Sequence, residues 1–102
     1  MSTSCALYDP VLEKAVRVNW DGYPERMLGL LNTHWCHLEK EDDWAELFSR
    51  GEIRSLGTEL VTTEWYGNSQ AFYRNQAEDL FDVAAVDYVY KYFYADDVWR
   101  LV

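Results

Sequence analysis

Metal-ligating residue types cluster in one place, His34-Trp35-Cys36-His37 with Glu41 beyond. On a helix, positions i, i+3 and i+7 share a face, so His34, His37 and Glu41 would converge there. Zinc accepts such ligands, but a structural site takes four and a catalytic site three plus water. There is no Cys-x-x-Cys pair and no second cluster. The pattern therefore reads better as a helix end, where two histidines favour the negative pole of the helix dipole. No metal and no other cofactor is expected.

Nucleophilic catalysis needs a nucleophile, a base and an orienting group in contact. Cys5 and Cys36 are the available thiols, and either histidine is a base. Cys36 lies between His34 and His37, but adjacent helical positions point apart, so the three do not assemble locally. Gly51 and Gly57 lack the strand, loop and lysine that make a phosphate cradle, and nothing resembles a nucleophile elbow. The expectation is a protein with no catalytic residues, not an enzyme. The start Met1-Ser2-Thr3-Ser4-Cys5 lacks the basic and apolar segments of a secretory signal, which favours reduced thiols in a cytoplasm. No run approaches the ~18 apolar residues of a membrane span.

The acidic residues carry more information. Eighteen Asp and Glu against nine Lys and Arg give a formal charge of −9 on 102 residues, spread over the body of the chain. Binding to bare DNA or RNA proceeds through Lys and Arg contacts that release counterions, so direct nucleic-acid binding is disfavoured. A basic protein partner is favoured instead. Glu39, Glu41, Asp42, Asp43 and Glu46 form one cluster, relieved only by Lys40. Glu78, Asp79 and Asp82 form a second, and Asp96 and Asp97 a third. Spaced surface carboxylates can imitate backbone phosphates to a protein built for nucleic acid, and basic grooves would steer them in.

Aromatic residues make up 17% of the chain, including eight tyrosines. Tyr88, Tyr90, Tyr92 and Tyr94 alternate with Val89, Lys91 and Phe93, placing the tyrosines on one side of a strand. Two readings stand. The ladder is exposed, with Tyr90 and Tyr92 as interface anchors, or it faces the helices with hydroxyls at the rim. Trp20, Tyr23 and Trp35 are expected in the core.

The elements that position these residues follow from pattern. One domain spans 1–102, with an apolar fraction of 49%. Residues 5–8 and 14–20 read as strands about an Asp9-Pro10 turn. Asp21-Gly22 allows a positive φ, and Pro24 suits the first helical position. Met27, Leu28, Leu31, Trp35 and Leu38 give an apolar face to a helix over 24–37. Gly29 weakens that helix, which a close approach to the sheet would explain. Asp43 and Glu46 have capping-box spacing for a second short helix that Gly51 ends. Residues 60–66 read as a strand or extended loop, Gly67-Asn68-Ser69 as a turn, 70–76 as one helical turn and 79–86 as a short helix. Residues 88–94 and 98–102 form a last hairpin about Ala95-Asp96-Asp97. The fold class is α+β: an antiparallel sheet built from N- and C-terminal hairpins, with short helices packed on one face.

The run Trp20-Asp21-Gly22-Tyr23-Pro24 resembles a signature of small proteins of unknown activity, common in phages and bacterial mobile elements. These carry it after an early hairpin and end in a Tyr-Val-Tyr strand followed by a tryptophan. The likeness extends to 51–57, to Phe72-Tyr73-Arg74 and to 87–99. It implies a fold and a phage-like setting, with no general activity attached; each signature residue also has an adequate structural task as a strand-to-helix joint. The expected function is anti-defence: an anti-CRISPR-like protein in the host cytoplasm that inhibits a basic nucleic-acid-binding protein or complex. Glu39, Glu41, Asp42, Asp43 and Glu46 would make the contact, with Tyr90 and Tyr92 as anchors. The alternative is a non-catalytic module that self-associates as a homodimer through the tyrosine-bearing strand.

Overall fold

Apolar residues on both faces of 5–9 require a strand covered from both sides. In the computed structural model, which describes residues 3–67 and 72–102, strand β1 (Cys5–Asp9) is buried along its whole length. It pairs antiparallel with β2 (Lys14–Val18), and Asp9 closes the turn by accepting the backbone N–H of Val11 at 2.8 Å and of Leu12 at 3.2 Å.

Helix α1 (Pro24–His34) starts with proline at its first position and buries Met27 and Leu31. It stops three residues earlier than the apolar spacing predicts. Trp35 leaves helical geometry, with φ −120° and ψ 50°, and inserts into the core, while Leu38 is left 77% exposed. Gly29 is exposed with open space around it, so no close approach to the sheet accounts for it. Helix α2 (Glu41–Leu47) buries Trp44 and Leu47. Strands β3 (Ile53–Ser55) and β4 (Glu64–Trp65) follow. Then come a 3₁₀ turn (Ala77–Asp79), helix α3 (Leu80–Val83) and the closing hairpin β5 (Tyr88–Phe93) and β6 (Val98–Leu101).

The expected turn at 67–69 and helical turn at 70–76 fall partly on residues 68–71, which lie outside the described residues. Tyr73, within that stretch, pairs with Ala15 as an isolated antiparallel bridge.

The chain is α+β as expected, with a six-stranded sheet in the order β4-β3-β2-β1-β5-β6. The two terminal hairpins lie side by side, but their junction β1–β5 is parallel, and so is β2–β3. Purely antiparallel pairing fails for a topological reason. The chain between β2 and β3 carries α1 and α2, and the chain between β4 and β5 carries the 3₁₀ turn and α3. Such crossovers return a strand in the same direction.

The helices also divide. On one face Leu7, Val16, Val18, Ile53, Tyr90, Tyr92 and Trp99 pack with residues of α1 and α2. On the other, Ala6, Tyr8, Ala15 and Val89 pack with Ala77, Leu80, Ala84 and Val86 around α3, with Tyr73 against them.

Candidate functional site

Because α1 ends at His34, the histidines and Glu41 do not share a helical face. His37 sits in the turn between the helices, its ring edge-on to Trp44 at 5.2 Å and tilted against Tyr94 at 5.3 Å. Its backbone N–H donates to the Tyr92 hydroxyl at 3.2 Å. Glu41 opens α2. Among the described residues, no three His, Cys, Asp or Glu side chains are grouped so as to hold a metal ion.

Cys5 and Cys36 are both free thiols. Burial pushes the Cys5 thiol far up, against the opposing charges of Arg26 and Arg17. Burial also raises Cys36, helped by Asp97 and Glu39, and its Sγ points at the carbonyls of Asn32 (3.2 Å) and Asp97 (3.8 Å). Raised thiols are poor nucleophiles, and at Cys5 burial outweighs the two arginines that would otherwise activate it.

The exposed-ladder reading of the tyrosines is corrected by burial. Tyr90 and Tyr92 lie beneath the helices, 0% and 1% exposed. Their hydroxyls are spent internally: Tyr90 donates to the Gly22 carbonyl at 2.7 Å, and Tyr92 donates to the Asp97 carboxyl group. The bulky face must meet the bulky helices, so neither tyrosine is available as a surface anchor.

The Trp20–Pro24 run is a joint. Asp21, not Gly22, takes the positive φ, 59°. Gly22 is small for a different reason: a Cβ there would stand 2.9 Å from both the Cβ and the backbone nitrogen of Cys5. Trp20 and Tyr23, expected in the core, are 43% and 39% exposed. The Trp20 ring lies under the Arg54 guanidinium at 5.9 Å.

The acidic cluster is held by α2. Lys40 is its N-cap residue, and Glu41, Asp42 and Asp43 occupy the first turn, where the partial positive charge of the helix start favours them. The predicted capping box is absent, because the helix begins before Asp43 and no side chain caps it. Glu46 instead pairs with Arg50 one turn on, at 3.0 Å. Glu39, Glu41, Asp42 and Asp43 form no ion pair among the described residues, and with Leu38 and Lys40 they line a shallow open cleft of about 270 Å³.

Lys40 does not neutralise them. Its ammonium donates to the Thr58 carbonyl at 3.0 Å and lies 5.0 Å from the centre of the Trp35 ring. The third cluster is absorbed by structure, since Asp96 pairs with Arg100 and Asp97 accepts from Tyr92. Glu78, Asp79 and Asp82 are exposed around α3, on the other face of the sheet.

The exposed Leu38 at the centre of the acidic edge was not legible in the sequence, where its spacing placed it on the helix face. The only signal against that reading was the density of charge immediately after it. Comparison with protein families, curated proteins and solved structures finds no match to this chain.

Proposed function

We propose that this chain is a non-catalytic inhibitor that binds a basic nucleic-acid-handling protein through the acidic edge at the start of α2. The observation that carries this reading is the withdrawal of Lys40. The one base within the segment is tied to Thr58 and Trp35 and forms no ion pair with Glu39, Glu41, Asp42 or Asp43 among the described residues, so the edge keeps a net negative charge. A cluster of one sign beside an open cleft raises the on-rate for an oppositely charged partner and penalises like-charged ones. Together with a chain charge of −9, this favours a basic protein surface over nucleic acid itself. The resemblance at Trp20 to Pro24 suggests a phage or mobile-element setting. The most concrete form of the proposal is then an anti-CRISPR-like protein acting in the host cytoplasm, its carboxylates standing in for phosphates.

The test is retention from nuclease-treated bacterial lysate on the tagged protein, washed at rising salt, with retained proteins identified by mass spectrometry. The expected result is a nucleic-acid-binding protein released at moderate salt and lost from a Glu39→Lys, Glu41→Lys, Asp42→Lys variant. Equal retention by that variant would sink the acidic-edge proposal. The self-association alternative used the tyrosine-bearing strand, and the burial of Tyr90 and Tyr92 takes these two residues out of either reading.

A further inference from the structure

An edge strand presents unpaired backbone N–H and C=O groups to any strand that approaches it. In β6 the register Tyr90↔Leu101, Lys91↔Arg100 and Tyr92↔Trp99 sets which groups these are. The Val102 N–H donates to the Val89 carbonyl at 2.9 Å, so Val102, Arg100 and Val98 turn their backbone groups toward β5. In the antiparallel alternation, Leu101 and Trp99 turn theirs outward.

The Trp99 position is occupied by a side chain from the last turn of α1. The Trp99 N–H donates to Oδ1 of Asn32 at 2.7 Å, and the Trp99 carbonyl accepts from Nδ2 of the same amide at 3.2 Å. One side-chain amide thus makes both bonds that a neighbouring strand residue would make. The Asp97 carbonyl, two residues back, faces the Cys36 thiol at 3.8 Å. Leu101, 44% exposed, is the next outward position and has no such cover among the described residues.

We infer that Asn32 guards the open edge of the sheet, its amide taking the place of a seventh strand and keeping β6 from pairing with a second copy of this chain. The guard is independent of the acidic edge and of any partner bound there.

The experiment combines sedimentation over a wide concentration range with hydrogen exchange of the Trp99 amide, measured on the full chain at its most dilute. In Asn32→Ala the Trp99 amide should exchange on the order of fivefold to tenfold faster than in the parent, the equivalent of one lost hydrogen bond. The variant should also associate more tightly than the parent as concentration rises. Adding Leu101→Pro, which removes an outward N–H without touching the β5 pairing, should return it to the parent's behaviour. Asn32→Asp keeps an acceptor for the Trp99 N–H but sets an oxygen against the Trp99 carbonyl, so that amide should exchange faster than the parent's without losing all protection; this arm reads the guard even if Asn32→Ala folds poorly. Unchanged Trp99 exchange in both variants, with unchanged association in Asn32→Ala, would overturn the inference.

Discussion

The indole N–H of Trp44 donates to Oδ2 of Asp9 at 2.5 Å, joining the first turn of the chain to α2. The Tyr94 hydroxyl donates to the same oxygen at 2.5 Å, and Oδ1 takes the N–H groups of Val11 and Leu12. Asp9 is fully buried, so four donors converge on a carboxyl group that water does not reach. The turn, the second helix and the end of β5 are fixed against one another at this point.

Removing that group should be among the most damaging single changes. Asp9→Ala leaves the buried Trp44 N–H and the half-buried Tyr94 hydroxyl without an acceptor and opens the turn, a loss of about 3 kcal/mol. Tyr94→Phe removes one hydroxyl and keeps the ring, for about 1 kcal/mol. Urea unfolding followed by tryptophan fluorescence checks both values. A loss below about 1 kcal/mol for Asp9→Ala would show that the turn stands without its acceptor.

Two glycines should respond to the same substitution with opposite signs. At Gly22 an alanine Cβ meets Cys5 Cβ and backbone nitrogen, which belong to the central strand and cannot give way. Gly22→Ala should therefore cost about 1–3 kcal/mol or more. Gly29 is helical, exposed and surrounded by open space. Gly29→Ala should stabilise the protein by about 0.5–1 kcal/mol, through the unfolded chain's lost freedom. Thermal unfolding of the two variants beside the parent separates a steric reason for the first glycine from a merely conformational one.

What was legible in the sequence follows from how local each signal is. The period-two runs at 14–20 and 88–94 and the proline start of α1 are local and place their elements, although β2 ends at Val18 and β5 at Phe93, short of where the runs end. The end of α1 depends on Trp35 finding a seat in the core, where its indole N–H reaches the Gly57 carbonyl at 2.8 Å. Nothing nearby in sequence announces that seat, so the apolar spacing makes the helix three residues too long and places Leu38 on its buried face. The parallel β1–β5 junction is likewise a long-range choice. For the acidic edge, the sequence supplied the carboxylates. It could not supply the direction of Lys40, which depends on Thr58 and Trp35.

Stability should fall on the alkaline side. Burial holds the Tyr90 and Tyr94 hydroxyls above their ordinary range, with the Asp9 hydrogen bond and charge adding to Tyr94, and burial raises the Cys5 thiol. The unfolded chain releases these protons first, from about pH 8.5 for cysteine and about pH 10 for tyrosine. Above those values the unfolded state binds fewer protons than the folded one, so unfolding becomes easier as pH rises. These three groups contribute no slope below about pH 8. The stability curve measured by denaturant should bend downward from about pH 8.5 and steepen past about pH 10. Tyr90→Phe and Tyr94→Phe should each make the upper limb shallower, whatever they do to stability at neutral pH. An upper limb unchanged in both variants would place the alkaline loss elsewhere.

Lys40 gives the acidic edge a test whose sign is informative. Lys40→Met keeps an apolar stem over Trp35 and removes the only positive charge in the segment. The lost bond to the Thr58 carbonyl is solvent-exposed, so the fold should weaken by no more than about 1 kcal/mol. If the edge meets a basic surface, the variant should bind the captured partner more tightly at low salt, by a few-fold, and its affinity should fall more steeply as salt rises. The gain should lie mainly in the association rate, where long-range attraction acts. Weaker binding by Lys40→Met, with stability intact, would instead show that the lysine itself touches the partner. The acidic edge would then serve as the setting for that contact, and the proposed imitation of phosphates would be lost.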